Sequence, residues 1–452
     1  MDIFGDKRKD EVLIITYDMI PYANSWGGSQ RMYYLAEYLI KNGINVTVFS
    51  CKKNKFNDYG NNINFNHESV PIKNKLLRNF LYSRGQISKN IQKSENVSLN
   101  IFAFLRRYIK NNNTLFNIVV SLDRKIFNEP SFLSGLITRS WYSDSYKKIK
   151  EHILNKNAKS IIISGPPFGM FSISRRLKTD FSQINLIFDY RDPWNLWKDN
   201  GFFAKYLEKK YLKYADKIIC TNENLANDMS KVYSIEFSKF EVIKNGFSEY
   251  AWSNIDCKKR AYKDFLTITY AGAIDISHSS KSSYRDISIL VEAFRQCRKN
   301  GMNIKLQFIG VNDVNSNLVQ ELKVEFEGDI TIMGVLDNKD ANLIMSKSDV
   351  LLLLHTTHDS SSRYIISGKM YDYIRAGKFI FSIGDPKGIH SKIVDTANLG
   401  ITSDNNYEEI QEKLSFIYDL WVNEKIEICI DSDLIQKSSR EYQNKKYMKL
   451  LI

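Results

Sequence analysis

The chain has few cysteines: Cys51, Cys220, Cys257, Cys297 and Cys429 are five in number, far apart and without a CxxC pair. An odd, scattered set argues against a disulfide framework or a thiolate metal site and fits a reducing cytoplasm. No apolar run approaches the roughly 18 residues that a membrane-spanning helix needs. The charged start MDIFGDKRKDE is unlike a signal peptide. The expectation is a cytoplasmic protein, soluble or peripheral on the inner face of the cell membrane. The glycine spacings GxGxxG and Walker A are missing, and so are zinc-finger spacing, an RNP-like aromatic motif and a convincing helix-turn-helix. A nucleic-acid partner is therefore not expected.

What the chain does have is length and positive charge. Its 452 residues suffice for two domains, each of roughly 200 residues with its own core. A net charge of +13 points to phosphorylated ligands, anionic lipid or nucleic acid, and charge alone does not choose among them.

One stretch organises the rest: Ser367 to Gly388, SGKMYDYIRAGKFIFSIGDPKG. The pattern predicts Ser367 as a helix N-cap, Gly368 as a point of close backbone approach, and Met370, Tyr373 and Ile374 facing the core. Lys369 and Asp372, three apart, share the other face, and Gly377 ends the helix. Asp349 to Leu354 upstream reads as a strand buried on both faces. Strand, polar loop and a helix opening with a cation make a seat for a diphosphate. An ordinary surface ion pair between Lys369 and Asp372 is the competing interpretation.

In chain order, Glu11 to Thr16 reads as a strand. The loop Tyr17 to Ser29 carries Gly27-Gly28, a helix with Met32, Leu35, Ala36, Leu39 and Ile40 follows, and Ile44 to Ser50 is the next strand. The glycine pair serves either a loop approaching a ligand or a tight turn. From Pro71 to Asn113 nine Lys or Arg face one acid, Glu95, among aliphatic and aromatic residues. This basic insertion reads either as interfacial helices on an anionic membrane or as solvated helices. Lys159 to Ser164 is a strand ending in Gly165-Pro166-Pro167, with a helix expected over Phe168 to Leu177. Asn185 to Asp189 runs into Tyr190-Arg191-Asp192-Pro193-Trp194, which puts acids and a cation at a strand's C-terminal end, a place for chemistry on a polar substrate. Structurally, Asp192 could cap the turn and Arg191 could pair with Asp189. Strands at Lys217 to Thr221 and Phe240 to Ile243 close the first half, which ends in Asn245-Gly246-Phe247.

Ser248 to Asp264 is polar and irregular and reads as a linker. A second series follows: the strand Leu266 to Gly272, a helix with Ile287, Leu290, Val291 and Phe294, and strands ending at Gly310 and Gly334. The expected architecture is α/β, two doubly wound Rossmann-like domains facing across a cleft. They are expected over 1–250 and 265–430, with a C-terminal helix over 431–452 packing back on the first.

Taken together, GGSQRMYYLAEYLIKNGINVTV, SGPP, FDYRDPW, KNGF, ITYAGAI, LQFIG, MGVL, SDVLLLL and GKMYDYIRAGKFI resemble, in matching order over most of the chain, the GT-B glycosyltransferases of family 4. SGPP followed by RDPW is similar to a subgroup from bacterial surface-polysaccharide assembly. The resemblance implies a retaining, sugar-nucleotide-dependent transferase. Its second domain would hold a nucleotide-sugar donor and its first a glycan or glycolipid acceptor, without cofactor or metal. Asp372 falls where these enzymes bind the donor ribose, and Lys369 and Arg285 would neutralise the diphosphate. Gly272, Ser367 and Gly368 belong to the same donor site. Gly334 and Val335 resemble the loop that meets the base, and Gly27 with Gly28 the loop near the donor phosphates. Arg191 and Asp192 are the candidate polar groups at the acceptor.

Two departures stand out. The Glu eight residues before the ribose carboxylate is replaced by Tyr364, and the His that often follows the PP pair is replaced, with Phe168 and Phe171 there instead. These losses keep two alternatives open, a catalytically degenerate scaffold and a GT-B sugar-nucleotide epimerase. The acids of the DSD run, Asp431 to Asp433, read as a helix cap rather than a metal pair.

Overall fold

The computed structural model describes residues 11–22, 26–52, 63–73, 134–196, 202–257, 264–274, 285–311, 314–355 and 360–451. Beyond residue 73 the expected basic insertion lies outside them. Contacts divide the chain into two compact units, Met1–Ile243 with Lys446–Ile452, and Lys244–Lys445.

The first unit is built on a seven-stranded sheet of order β3-β2-β1-β4-β5-β6-β7. Its strands are β1 (Glu11–Thr16), β2 (Asn45–Lys52), β3 (Asn66–Pro71), β4 (Ala158–Gly165), β5 (Asn185–Tyr190), β6 (Lys217–Cys220) and β7 (Phe240–Val242). Every pairing is parallel. Helices must cover both faces of such a sheet, so its inner strands are continuous apolar runs: LIIT, IIIS and LIFDY are buried throughout. The helix Trp26–Lys41 packs Met32, Leu35, Ala36 and Leu39 on one face, and Tyr447, Met448, Leu450 and Leu451 join the same core.

In the second unit six parallel strands take the order β10-β9-β8-β11-β12-β13. They are β8 (Leu266–Ala271), β9 (Ile304–Ile309), β10 (Ile330–Met333), β11 (Val350–Leu354), β12 (Phe379–Ile383) and β13 (Gly400–Ser403). The period-2 pleat sorts their side chains. Val350, Leu352 and Leu354 join the core that includes Phe294 of the helix Ser288–Lys299, while Leu351 and Leu353 join Met370, Tyr373 and Ile374 of the helix Gly368–Ala376.

Each sheet order reverses once, between β1 and β4 and between β8 and β11. At such switch points the loops leave towards opposite faces and open a crevice at the C-terminal strand ends.

Several local expectations change. The helix over the glycine pair begins at Trp26, so Gly27 and Gly28 lie in its first turn rather than in a loop. Phe168 to Leu177 is a 3-10 helix over Phe168–Ile173 followed by an α-helix over Ser174–Asp180, since Phe168 and Phe171 must both reach the aromatic core. Ser248 to Asp264 is not all linker: the helix Glu249–Trp252 inserts a buried Trp252. The terminal helix is broken into Ser432–Lys437 and Arg440–Leu451. The break, Ser438-Ser439, passes against Gly246-Phe247, where Phe247 N–H donates to Ser438 O at 3.0 Å and Arg440 N–H to Phe247 O at 2.9 Å. A Cβ on Gly246 would meet this backbone at 2.7 to 2.8 Å, the physical reason for the Asn-Gly there. Asp431 caps Ser432–Lys437, accepting from Asp433 N–H at 2.9 Å.

Candidate functional site

The second unit gathers most of the candidates at its switch point. Strands β8, β9 and β10 run directly into Gly272, Gly310 and Gly334, and their backbones are laced together. Gly272 N–H donates to Ile309 O at 2.6 Å, and Gly310 N–H to Gly334 O at 3.0 Å. Gly310 has φ +90°, where a side chain is strained, and a Cβ on it would press to 3.3 Å from Gly272 Cα. A Cβ on Gly272 would collide with Nζ and Cε of Lys369. The bare backbone at Gly272 is what lets the lysine lie across the end of β8.

Lys369 sits in the first turn of the helix Gly368–Ala376. Its Nζ donates to Tyr270 Oη at 2.8 Å and lies 4.3 Å from that ring's centroid. Burial, helped by the charge of Arg285, lowers its pKa to about 8. A cation in the first turn of a helix adds to the positive end of its dipole, an arrangement that suits an anion. The ion pair between Lys369 and Asp372 is not formed. Asp372 Oδ1 instead accepts from Trp252 Nε1 at 3.2 Å. Burial raises the Asp372 pKa, against the Trp252 bond and the charge of Arg440.

Ser367 is the N-cap residue by backbone conformation, but its hydroxyl makes no cap bond. Its N–H donates to His390 Nε2 at 2.8 Å, which makes that ring nitrogen an acceptor and the imidazole neutral. Burial, with the charges of His355 and Lys369, holds the His390 pKa well below the ordinary value. His390 stacks on His355 with centroids 4.7 Å apart. Tyr373 ties this helix to the switch point, since its hydroxyl accepts from Ala271 N–H at 3.2 Å and donates to Leu352 O at 3.0 Å. Tyr364, where a Glu was the expected type, is 7% exposed and lies under Arg363, with the Arg363 guanidinium carbon 5.9 Å from its ring centroid. Val335 is exposed.

In the first unit the helix Trp26–Lys41 carries Gly27 and Gly28 in its first turn and Arg31 one turn on. Arg31 meets the fully buried Asp189 at the end of β5, with Nη2 to Oδ1 and Nε to Oδ1 both at 3.0 Å, and Nη2 donates to Ile243 O at 2.7 Å. Asp189 also accepts from Ser164 Oγ at 2.8 Å and from Tyr447 Oη. Arg191 therefore does not pair with Asp189. Its backbone and guanidinium donate to the carbonyls of Gly165 and Pro166. Asp192 is half-buried, and burial, with the neighbouring Asp189, raises its pKa against Arg191 and Arg31. Phe168 and Phe171 are fully buried: Phe168 stacks on Trp194 at 5.2 Å and Phe171 on Phe188 at 4.3 Å. They are core residues and present no polar group to an acceptor. Behind them, Glu208 Oε2 accepts from Asn195 Nδ2 at 2.7 Å and Tyr233 Oη at 2.5 Å. Burial pushes the Glu208 pKa up to about 7 despite these bonds.

Thus the structure places Gly272, Arg285, Gly334, Ser367, Gly368, Lys369 and Asp372 about one sheet edge, and Gly27, Gly28, Arg191 and Asp192 about the C-terminal edge of the other. The sequence patterns did not single out Tyr270, Trp252, His390 or Arg31. Three successive strands each ending in glycine were a visible signal for Gly310.

No protein-family model matches the sequence, and no curated protein sequence matches it. Solved structures do. A glycosyltransferase from Rickettsia africae superposes with TM-score 0.60 at 14% identity, covering 98% of each chain. The catalytic domain of starch synthase IV from Arabidopsis thaliana, bound to ADP and acarbose, gives 0.58 at 10%, covering 98% of this chain and 99% of its own. UDP-GlcNAc 2-epimerase from Neisseria meningitidis, bound to UDP-GlcNAc, gives 0.51 at 10%, again covering 98% and 99%. With two parallel-sheet α/β units, these likenesses establish the GT-B fold.

Proposed function

We propose that the protein is a sugar-nucleotide-dependent glycosyltransferase whose second unit binds the diphosphate of the donor. The observation that carries this is Lys369, a cation desolvated in the first turn of the helix Gly368–Ala376, with its pKa lowered by burial and by the charge of Arg285. Lys369 meets no carboxylate among the described residues, its one hydrogen bond there being to Tyr270. Taking a charged lysine out of water without a carboxylate beside it is unfavourable unless an anion joins it. A diphosphate supplies that anion.

In transfer, the bond from the sugar to the β-phosphate oxygen breaks and negative charge grows on the leaving phosphate. Cations already fixed there stabilise the transition state more than the ground state. Asp372, held by Trp252, would accept from the ribose hydroxyls. Gly334 and Val335 would meet the base, and Gly27 and Gly28 would lie near the donor phosphates. Arg191 and Asp192 would face the acceptor, for which we favour a lipid-linked glycan of bacterial surface polysaccharide. Retention of configuration, with the departing phosphate taking the acceptor proton, needs no protein nucleophile.

The test is calorimetry of the purified chain against UDP, GDP, ADP and CDP, followed by turnover of the matching sugar conjugates. One nucleotide should bind, and Lys369→Met and Asp372→Asn should each weaken it. An epimerase is the second reading, favoured by the likeness to the Neisseria enzyme. Conversion of the donor's sugar without any acceptor would establish it in place of transfer. If no nucleotide binds, both readings fail and a scaffold role takes their place.

A further inference from the structure

The helix Phe202–Leu212, with Lys213 just beyond it, divides sharply into two faces. Ala204, Leu207, Glu208, Tyr211 and Leu212 are buried against the first unit. The outward face carries Phe202, 88% exposed, with Phe203 and Tyr206 about half exposed, and then Lys209, Lys210 and Lys213. The rings of Phe203 and Tyr206 lie 6.5 Å apart, and Lys210 Nζ is 6.0 Å from the Tyr206 centroid. Over 202–213 the one carboxylate, Glu208, points inward, so the exposed face carries positive charge alone.

Lysines at a helix C-terminus complement its dipole, which accounts for the last turn. It does not account for Phe202 and Phe203, turned outward two turns earlier. A protein partner is the poorer match, because lysine is depleted in the cores of protein interfaces. Aromatic rings beside lysines whose stems lie along apolar surface suit a headgroup layer, rings at the acyl boundary and ammonium groups among anionic phosphates. We propose that this face docks the first unit on an anionic lipid bilayer. The inference stands apart from the donor-site reading and would survive its failure.

The full chain should sediment with phosphatidylcholine vesicles containing phosphatidylglycerol, much less with phosphatidylcholine alone, and less again in high salt. Replacing Lys209 and Lys213 by Ser should lower partitioning by about fivefold for each charge. The double change Phe202→Ser with Phe203→Ser should lower it at least about tenfold. As a second readout on an otherwise intact chain, Tyr206→Trp should show added emission that brominated lipid quenches. Several results would overturn the proposal: no sedimentation with anionic vesicles at low salt, partitioning of both doubly substituted chains equal to that of the natural chain, or emission indifferent to lipid. So would a dimer that the phenylalanine changes dissolve in a chain that ignores vesicles, since the face would then belong to a second copy.

Discussion

Lys369→Met should make the protein more stable and a weaker nucleotide binder. Burial and Arg285 hold this lysine at about 8 against an ordinary 10.5. A base with a depressed folded-state pKa costs the fold stability at every pH below that value, and the cost fades as pH rises towards 10.5. That difference corresponds to about 3 kcal/mol of penalty at neutral pH. Methionine has a similar shape and no charge, so urea unfolding of the apo-protein at pH 7 should show a gain of up to that size. A bound diphosphate reverses the sign by raising the lysine's pKa. Binding then takes up protons, roughly a tenth of a proton at pH 7, half at pH 8 and nine-tenths at pH 9. Nucleotide affinity should fall towards tenfold per pH unit above pH 8 in the natural chain and stay flat in Lys369→Met. At pH 7 the variant should bind more weakly by about 1.5 to 3 kcal/mol, the size of one charge-assisted contact. Calorimetry in buffers of different ionisation enthalpy reads the proton uptake directly. A Lys369→Met chain that melts lower than the natural one, or a natural chain with a flat affinity profile from pH 7 to 9, would refute the reasoning.

Glu208 has the opposite sign of shift, raised from 4.5 to about 7. Its neutral form suits the fold, so its contribution is full below pH 4.5 and is lost by pH 7, a fall of about 3 kcal/mol. In Glu208→Gln this part of the slope should vanish, which denaturant unfolding between pH 5 and 8 measures. Gly272→Ala should drive Lys369 off the end of β8, costing stability and raising the nucleotide Kd at least about tenfold; an unchanged Kd would separate the lysine from the phosphates. Arg31→Met leaves Asp189 buried without its ion partner and should destabilise by about 3 to 5 kcal/mol, whereas Tyr447→Phe removes one hydrogen bond and should cost about 1 to 3 kcal/mol. Equal losses in the two chains would show that the charge pair is not what holds the first unit's buried cluster.

The fold was legible where strands carry an apolar run, as the central strands and the edge strands β7 and β10 do, and dim at the polar edges β3 and β13. Buried on both faces, β1, β4, β5, β8, β11 and β12 announce themselves as apolar runs. Strand β3, Asn66–Pro71 or NHESVP, and strand β13, Gly400–Ser403, are the outermost members of their sheets. An edge strand has solvent beside it and can be polar, as these two are, with little apolar pattern to show. The break at Ser438-Ser439 was invisible for another reason. It is imposed by Gly246-Phe247 almost two hundred residues away, and nothing local in Ser-Ser forbids a continuous helix.

The site was legible in its charges and not in what positions them. A lysine opening a helix after a buried strand can be read from spacing. That Tyr270 holds it, that Gly272 makes room for it and that His390 occupies the Ser367 amide depend on contacts between strands and helices distant in the chain. The same limit bears on Arg191: Asp189, the structural partner considered for it, is taken by Arg31 from 158 residues away, and the Arg191 guanidinium donates to the Gly165 and Pro166 carbonyls. The two buried clusters differ in a way that bears on function. Around Asp189 one carboxylate meets Arg31, Ser164 and Tyr447, so the charge is paired and its hydrogen bonds are made, as a structural network requires. Around Lys369 a cation is desolvated beside a second cation, a local conflict that the fold does not resolve from the lysine's own contacts. Conflicts of that kind are expected where a ligand completes the charge balance. For that reason the donor reading is placed on Lys369 rather than on the better-bonded cluster around Asp189.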